Sequence, residues 1–239
     1  MMSRATANRT IAVVNPTVHF AQSLRDGLVA RGIAVTGDGV DLDDIAPELP
    51  PTPRRVLVTT QSPPLSEIAT VLMKVSQNLY AETLLKALGA SRGGLGTFDG
   101  GLRASRETLA SWGVPRDAHV LYDGSGLSRY NYLTPETLTT ILERMYKDPR
   151  HKETFAATLP IAGKDGTISS RLRRTRAEGN AIAKTGSIAN VRTLSGYVKT
   201  RDGETLVFSI LTNDFVIPAA TVNYIADLGV EILSNFTRK

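Results

Sequence analysis

The sequence predicts a mixed α+β fold in which an antiparallel sheet is flanked by helices. Three apolar segments rich in β-branched residues occupy positions 181–184, 193–200 and 205–211 near the carboxyl end. The Asp-Gly pair inside 201–204 favours a tight hairpin between the second and third segments, and an amphipathic helical pattern follows over 219–236. With 239 residues and 41% apolar side chains, the chain is long enough to bury a core against such a sheet.

The amino-terminal region carries a helix-start signal at Asn15-Pro16. Asparagine can cap the free backbone N–H groups, and proline is tolerated at the first helical position. We expect this helix to end near Gly32, which follows the last apolar residue of the pattern. Its apolar face would be formed at one-turn spacing by Phe20, Leu24 and Leu28.

Two short strands are expected next, over 33–35 and 55–60, because both segments are apolar and rich in branched residues. The residues between them, 41–53, combine several prolines with aspartates. This composition predicts a surface connection.

The pair Pro63-Pro64 leads into a second helical stretch, which the polar residues Ser76 and Asn78 interrupt. The helical pattern then resumes until Gly89, which can close it. The apolar positions are Ile68, Leu72, Val75 and Leu79 before and at the interruption, and Leu84, Leu85 and Leu88 after it.

The middle of the chain alternates short elements with loops. A glycine-rich loop over 93–101 precedes a helix over 103–112, a short strand over 119–122 and a tight loop over 123–129. The glycine-rich loop is not predicted to bind phosphate, because it follows a helix and lacks a Lys-Ser/Thr ending. Thr134-Pro135 then caps a helix whose apolar face comprises Leu138, Ile141, Leu142 and Met145.

The composition excludes several functions. A net charge of +5 and a pI near 9.6 permit an anionic partner, but the basic run at 171–176 lacks interleaved aromatic residues, so nucleic acid is not expected. Attraction to an anionic cell wall or lipid surface stays open. The chain has no cysteine, and His19, His119 and His151 are scattered singly, so neither a metal nor another cofactor is expected.

No run of about 18 apolar residues is present, so no transmembrane segment is expected. The first ten residues are polar and do not resemble an export signal. Taken as written, the sequence therefore predicts a cytoplasmic location.

Two residue triplets indicate a candidate catalytic site. Ser76-Gln-Asn78 and Lys184-Thr-Gly186 are two of the three sequence elements of a serine acyl-transfer site that uses lysine as its base. The first interrupts a helical region, as a loop lining a cleft would; the second ends an apolar strand, where glycine permits close backbone approach. The competing interpretation is structural, with Ser76 and Asn78 as a helix-junction cap and Lys184 as a charge at a strand end.

The third element, a nucleophilic serine three residues before a lysine, is missing. Thr83 stands at that spacing from Lys86, but it lies one heptad past Ser76 on the same helix, where packing and solvation explain it. We therefore expect the chain to correspond to the carboxy-terminal half of an enzyme. The residues three positions before the eight lysines are Val71, Thr83, Arg144, Pro149, Ile161, Ala181, Gly196 and Phe236.

Four segments, 74–86, 123–131, 159–167 and 183–187, resemble in this order the D-alanyl-D-alanine carboxypeptidase/endopeptidase family of penicillin-binding proteins, peptidase family S13. The resemblance covers nearly the whole chain, from about residue 15 to residue 236. From this resemblance we expect that the family's amino-terminal part, with its signal peptide, its nucleophile helix and most of an inserted accessory region, has no counterpart in this sequence.

This resemblance implies a β-lactamase/transpeptidase-like fold that is incomplete at its amino-terminal side. Residues 1–60 would be a remnant of the region leading back from the accessory insert, and 61–239 the carboxy-terminal part of the penicillin-binding domain. The implied substrates are peptidoglycan stem peptides ending in D-Ala-D-Ala, the implied inhibitors are β-lactams, and the family's location is the periplasm or cell envelope. A complementary chain carrying the missing segment is a further implied partner.

The resemblance also implies roles for the site residues. Ser76 would relay a proton to the departing amine, and Asn78 would hold the substrate backbone. Lys184 would make the pocket positive and bind a carboxylate, to which Thr185 could donate. Gly186 would allow the close approach of the peptide, and the backbone at Ser187 would align it as an added strand.

Three functional hypotheses stay open. The first is the carboxy-terminal piece of a serine D-Ala-D-Ala carboxypeptidase, from a truncated or split gene or a misplaced start codon. The second is a non-catalytic module that binds peptidoglycan peptides through Asn78, Lys184 and Thr185, and the third is nucleic-acid binding through 171–176. For the loop at 123–129 we favour a structural turn, with Asp123 bonding local amides, over a cleft-shaping role.

Overall fold

The computed structural model describes residues 12–41, 44 and 55–238. The chain divides into two units, residues 1–60 and residues 61–239. The candidate site lies entirely in the second unit.

The first unit contains the predicted helix, α1, over Pro16–Val29. Its start is confirmed, since the Asn15 side chain accepts a hydrogen bond from the Val18 amide at 3.0 Å. Gly32 follows three residues after the end of the helix, with a φ of +80° that suits glycine.

The prediction of two strands in this unit is wrong. Residues 33–35 and 55–60 have no strand structure, and Val56, Leu57 and Val58 are each more than three-quarters exposed. A β-branched run forms a strand only where a neighbouring strand takes its hydrogen bonds and a core takes its side chains. Apart from residues 41 and 44, the connection predicted over 41–53 lies outside the described residues.

The second unit begins with two consecutive helices, α2 over Leu65–Val75 and α3 over Asn78–Ser91, and the predicted interruption between them is confirmed. The prediction that Gly89 closes α3 is wrong, because the helix continues to Ser91. Gly89 serves packing instead: a Cβ there would lie 2.7 Å from the backbone nitrogen of Gly101, so only glycine lets the next helix approach so closely.

That next helix, α4, spans Phe98–Ser111 and starts five residues earlier than predicted, because the Thr97 hydroxyl caps it by accepting from the Gly100 amide. Helix α5 over Pro135–Lys147 begins at the predicted Thr134 cap. The seven-residue helix α6, Lys152–Thr158, was not predicted, since it is too short to show a period and has no side-chain cap. Helix α7 spans Ala219–Asn235, as predicted.

The strand predicted over 119–122 is shorter than expected. Only β1, His119–Val120, is regular, and it pairs antiparallel with β2, Tyr132–Leu133.

The main sheet contains β3, Ile182–Ile188, then β4, Val191–Lys199, and β5, Thr205–Asn213, in the order β3-β4-β5, all antiparallel. This confirms the predicted three-stranded sheet and its second hairpin. The first strand is longer than predicted, since it continues past Lys184, which lies opposite Ser195 of β4.

Helices cover both faces of this sheet. On one face, α7 buries Ala226 and Val230 in a cluster that includes Leu194 and Phe208. Paired residues share a face, so Ile182 and Tyr197 point to the other one.

On that second face, the Tyr197 hydroxyl donates to the Leu142 carbonyl of α5 at 2.6 Å. Lys184, two residues along β3 from Ile182, lies on the same face.

Within the described residues, no helix is both long and apolar enough to cross a bilayer.

Candidate active site

The junction between α2 and α3 presents Ser76. This residue ends α2 with left-handed backbone angles, φ 60° and ψ 54°, a conformation that costs a non-glycine residue about 1–2 kcal/mol. Its amide and that of Gln77 both donate to the Leu72 carbonyl, which closes the helix. The Gln77 side chain caps α3, because it accepts a hydrogen bond from the Leu79 amide at 3.4 Å. The Ser76 hydroxyl therefore takes no part in capping.

Lys184 reaches that hydroxyl across the chain. Its ammonium donates to Ser76 Oγ at 2.7 Å and to the Thr185 carbonyl at 2.6 Å. Both acceptors are uncharged, and burial lowers the pKa of Lys184 from 10.5 to about 8. The structure thus joins two triplets that stand 108 positions apart.

The remaining predicted residues lie around this contact. Asn78 is exposed at the first position of α3, and the Thr185 hydroxyl donates to that of Thr167 at 2.8 Å. A Cβ at Gly186 would lie 2.4 Å from Thr193 Oγ1, so a side chain at this position would have to displace the Thr193 hydroxyl. Ser187 is exposed near the end of β3.

The outer edge of β3 is open beyond its first residues. Within the described chain β3 pairs only with β4, apart from a bridge at Ile182 and a bond from the Ala183 amide to the Pro160 carbonyl. From Lys184 onward the edge can therefore accept an extended peptide as an additional strand.

The loop at 123–129 has the structural role that we favoured. The Asp123 carboxylate accepts from the amides of Gly126 at 2.8 Å and Ser128 at 2.6 Å. The loop is also tied to α3, because Glu82 accepts from the amides of Gly124 and Ser125, both at 3.0 Å. No sequence pattern indicated this role of Glu82, because its partners lie more than 40 residues away along the chain.

Thr83 lies in α3, whereas Ser76 ends α2, so the expectation that the two residues share a helix is wrong. The Thr83 hydroxyl donates to the Leu79 carbonyl of its own helix at 2.8 Å. Thr83 lines an apolar groove of about 320 Å³ between α2 and α3. The groove is lined by Pro63, Glu67, Ile68, Val71, Leu79, Tyr80, Thr83 and Leu84.

Two arginines of the basic run have structural partners. Arg171 forms a bidentate ion pair with Asp227 of α7 at 2.8 Å, with both side chains mostly buried. Arg176 donates to the Ser234 carbonyl at 2.9 Å. The ion pair neutralises the charge of Arg171, whereas Arg173, Arg174 and Arg176 are exposed and keep theirs. Among the described residues, no group of three or more histidine and acidic side chains could hold a metal.

Several known proteins are similar to this chain in sequence or in fold. A D-alanyl-D-alanine carboxypeptidase from an Actinomadura species is 39% identical over 219 residues, which cover 90% of this chain and 39% of that protein. The crystal structure of penicillin-binding protein 4 (dacB) from Haemophilus influenzae, complexed with a β-lactam, superimposes with a TM-score of 0.82 at 29% identity. That match covers 95% of this chain and 53% of the Haemophilus chain.

The TLA-1 extended-spectrum β-lactamase has the same fold, with a TM-score of 0.51 at 17% identity over 71% of this chain and 60% of that one. The fold is therefore β-lactamase/transpeptidase-like, the fold class predicted from the sequence. Within that class, the chain belongs to the D-Ala-D-Ala carboxypeptidase 3 (S13) family, whose profile matches residues 2–235. It is thus related to penicillin-binding hydrolases, and it spans 39% of the Actinomadura relative and about half of the solved Haemophilus chain.

Proposed function

We propose that this chain supplies the proton-relay and substrate-binding side of a serine D-Ala-D-Ala carboxypeptidase site, acting on peptidoglycan stem peptides. The observation that carries the proposal is the 2.7 Å contact between Lys184 Nζ and Ser76 Oγ. A hydroxyl held by an ammonium can accept a proton from one side and pass its own to a departing amine. Asn78, exposed at the start of α3, is placed to hold the substrate backbone.

The Lys-Thr-Gly strand would bind the other end of the peptide. Lys184 is mostly cationic at pH 7, because its pKa of about 8 lies above that pH, so it attracts a terminal carboxylate. Thr185 would donate to the same carboxylate by turning its hydroxyl proton away from Thr167. Gly186 and Ser187 would align the peptide along the open edge of β3.

Nucleophilic attack is not a step that these 239 residues can perform through a Ser-x-x-Lys pair, because no serine in them has that spacing. In this proposal, a segment outside the 239 residues supplies the serine, on the same or a complementary chain. Residues 1–60 would correspond to the region leading back from an accessory insert, and the complete protein would act in the cell envelope.

A second candidate is a non-catalytic module that binds peptidoglycan peptides. It is favoured by the combination of an intact Ser76–Lys184 contact with the lack of a nucleophile at the required spacing. The two candidates share the same cleft and differ in turnover. They separate when a polypeptide carrying a family Ser-x-x-Lys segment is co-expressed: hydrolysis of D-Ala-D-Ala peptides by the purified pair supports the first, and binding without hydrolysis supports the second.

The Lys184→Ala variant is expected to lose measurable binding of N-acetyl-D-alanyl-D-alanine, because the carboxylate loses its ammonium partner. In the wild type, affinity should be highest below the pKa of about 8 of the free protein and should fall by up to tenfold per pH unit above it, as Lys184 loses its charge, until it levels off above the higher pKa of the complex. Isothermal titration calorimetry measures both effects.

Lys199→Ala is the matched control, since Lys199 is an exposed lysine at the end of β4. It should bind as the wild type does. Equal affinity of wild type and Lys184→Ala would remove this role of Lys184 and weaken both candidate functions.

A further inference from the structure

One loop, residues 159–168, touches both halves of the candidate site. At its end, the Thr167 hydroxyl accepts from Thr185, next to Lys184. Two residues earlier, Asp165 Oδ2 accepts from the Lys74 ammonium at 2.6 Å. Lys74 lies in the last turn of α2, two residues before Ser76. The loop is therefore bonded to the strand that carries the ammonium and to the helix that carries the hydroxyl.

The loop backbone lies tightly against α2. Gly166 has a φ of +57°, and a Cβ there would lie 2.7 Å from the Lys74 carbonyl and 2.8 Å from Pro160 Cβ. Asp165 is fixed from its other side as well, because its Oδ1 accepts from the Ile161 amide at 2.7 Å. This arrangement leaves little freedom between the loop and the end of the helix.

Asp165 is charged in this arrangement. Burial alone would raise the pKa of its carboxyl, but the hydrogen bonds from Lys74 and from the Ile161 amide outweigh that effect, and the net pKa is lowered. The Lys74 side chain is 18% exposed and that of Asp165 is 41% exposed, so the ion pair is partly screened by solvent. Its geometric effect on the end of α2 therefore matters more than its contribution to overall stability.

Ser76 depends on that helix end. Its hydrogen bonds run to Leu72 through its amide and to Lys184 through its hydroxyl, so the position of Oγ follows the last turn of α2. We infer that the Lys74–Asp165 ion pair is a positioning element, which holds the Ser76 hydroxyl within hydrogen-bond distance of the Lys184 ammonium. Its catalytic meaning rests on the proposed function, whereas its geometric effect does not.

The pKa of Lys184 reports on this positioning. If the end of α2 loosens, water reaches the ammonium and the pKa rises toward its ordinary value, because burial is what lowers it. The charged groups on the neighbouring elements are Glu67 and Lys74 of α2, Lys164 and Asp165 of the loop, and Arg192 and Lys199 of β4. The β4 residue directly opposite Lys184 is the uncharged Ser195.

One variant separates positioning from a simple through-space field. Asp165→Asn keeps an oxygen for the Ile161 amide but removes the charge; positioning predicts that the Lys184 pKa rises by about one unit, whereas loss of a nearby negative charge would lower it. Lys74→Met should raise that pKa on either account, because it also removes a nearby positive charge. Lys74→Arg should leave the pKa unchanged. The measurement is an NMR pH titration of lysine side chains labelled with ¹³C and ¹⁵N, with Lys184 assigned from Lys184→Arg.

Amide hydrogen exchange gives a second readout that does not need the Asp165→Asn variant to fold. In Lys74→Met, the amides of Ser76 and Gln77 should exchange at least about tenfold faster than in the wild type, and in Lys74→Arg they should not. Unchanged exchange in Lys74→Met, or a lowered Lys184 pKa in Asp165→Asn, would overturn the inference. Neither measurement involves a ligand or turnover, so either can fail while the carboxypeptidase proposal stands.

Discussion

Incubated with a penicillin, the purified 239-residue chain is expected to keep its unmodified mass. Covalent labelling needs an activated nucleophile, and the chain has no cysteine and no serine three residues before a lysine. Thr83, the one hydroxyl residue at that spacing, donates its proton to the Leu79 carbonyl of its own helix. Ser76 accepts a hydrogen bond from an ammonium rather than facing a neutral base.

Intact-mass spectrometry tests this expectation, and the Haemophilus penicillin-binding protein 4, whose structure contains a β-lactam, provides the positive control. The same samples should show no release of D-alanine from a D-Ala-D-Ala peptide. A stoichiometric adduct on this chain would contradict the prediction. Mapping that adduct to Ser76 or Thr83 would identify the hydroxyl that acts as nucleophile.

The same assay extends to a mixture. If a polypeptide carrying a Ser-x-x-Lys segment associates with this chain, the label should appear on the added polypeptide and not on Ser76. Exposed apolar side chains of α2 and α3, including Leu65, Val75 and Leu79, are available for such an association.

Local signals predicted the helices well and the isolated strands poorly. Helices α1 and α5 begin where Asn15 and Thr134 supply side-chain caps, and both caps act within a few residues of sequence. The runs at 33–35 and 55–60 have strand-like composition but no pairing partner in the described structure. A strand depends on a distant neighbour, which composition does not reveal.

The candidate site divides in the same way. The triplets containing Ser76 and Lys184 were recognisable because each consists of adjacent residues of characteristic types. The groups that hold them were not, since Lys74 and Asp165 stand 91 residues apart and Glu82 meets its loop across 42 residues. Their pairing follows from the tertiary fold, and no short sequence pattern encodes it.

The structure also makes a prediction about the strand that carries Lys184. Gly196 of β4 lies opposite Ala183 of β3, and a Cβ at that position would lie 2.1 Å from the Ile182 carbonyl oxygen and 2.7 Å from Ala183 Cα. Both contacts are with backbone atoms, so β3 would have to move away from β4. Gly196→Ala is therefore expected to destabilise the protein by about 1–3 kcal/mol, or more where the strand cannot shift.

For a domain of this size, each kcal/mol lowers the melting temperature by roughly 2–4 °C, which differential scanning calorimetry resolves. Gly94→Ala is the matched control, because the nearest atom to a Cβ there lies 3.6 Å away, at an ordinary contact distance. Its free energy of unfolding should lie within about 0.5 kcal/mol of the wild-type value. If Gly196→Ala melts like Gly94→Ala, the close approach of β3 and β4 is not rigid, and the position of Lys184 does not depend on it. If it melts lower and the NMR signal of Lys184 also moves, then the spacing of these two strands sets the geometry of the lysine as well as the stability of the sheet.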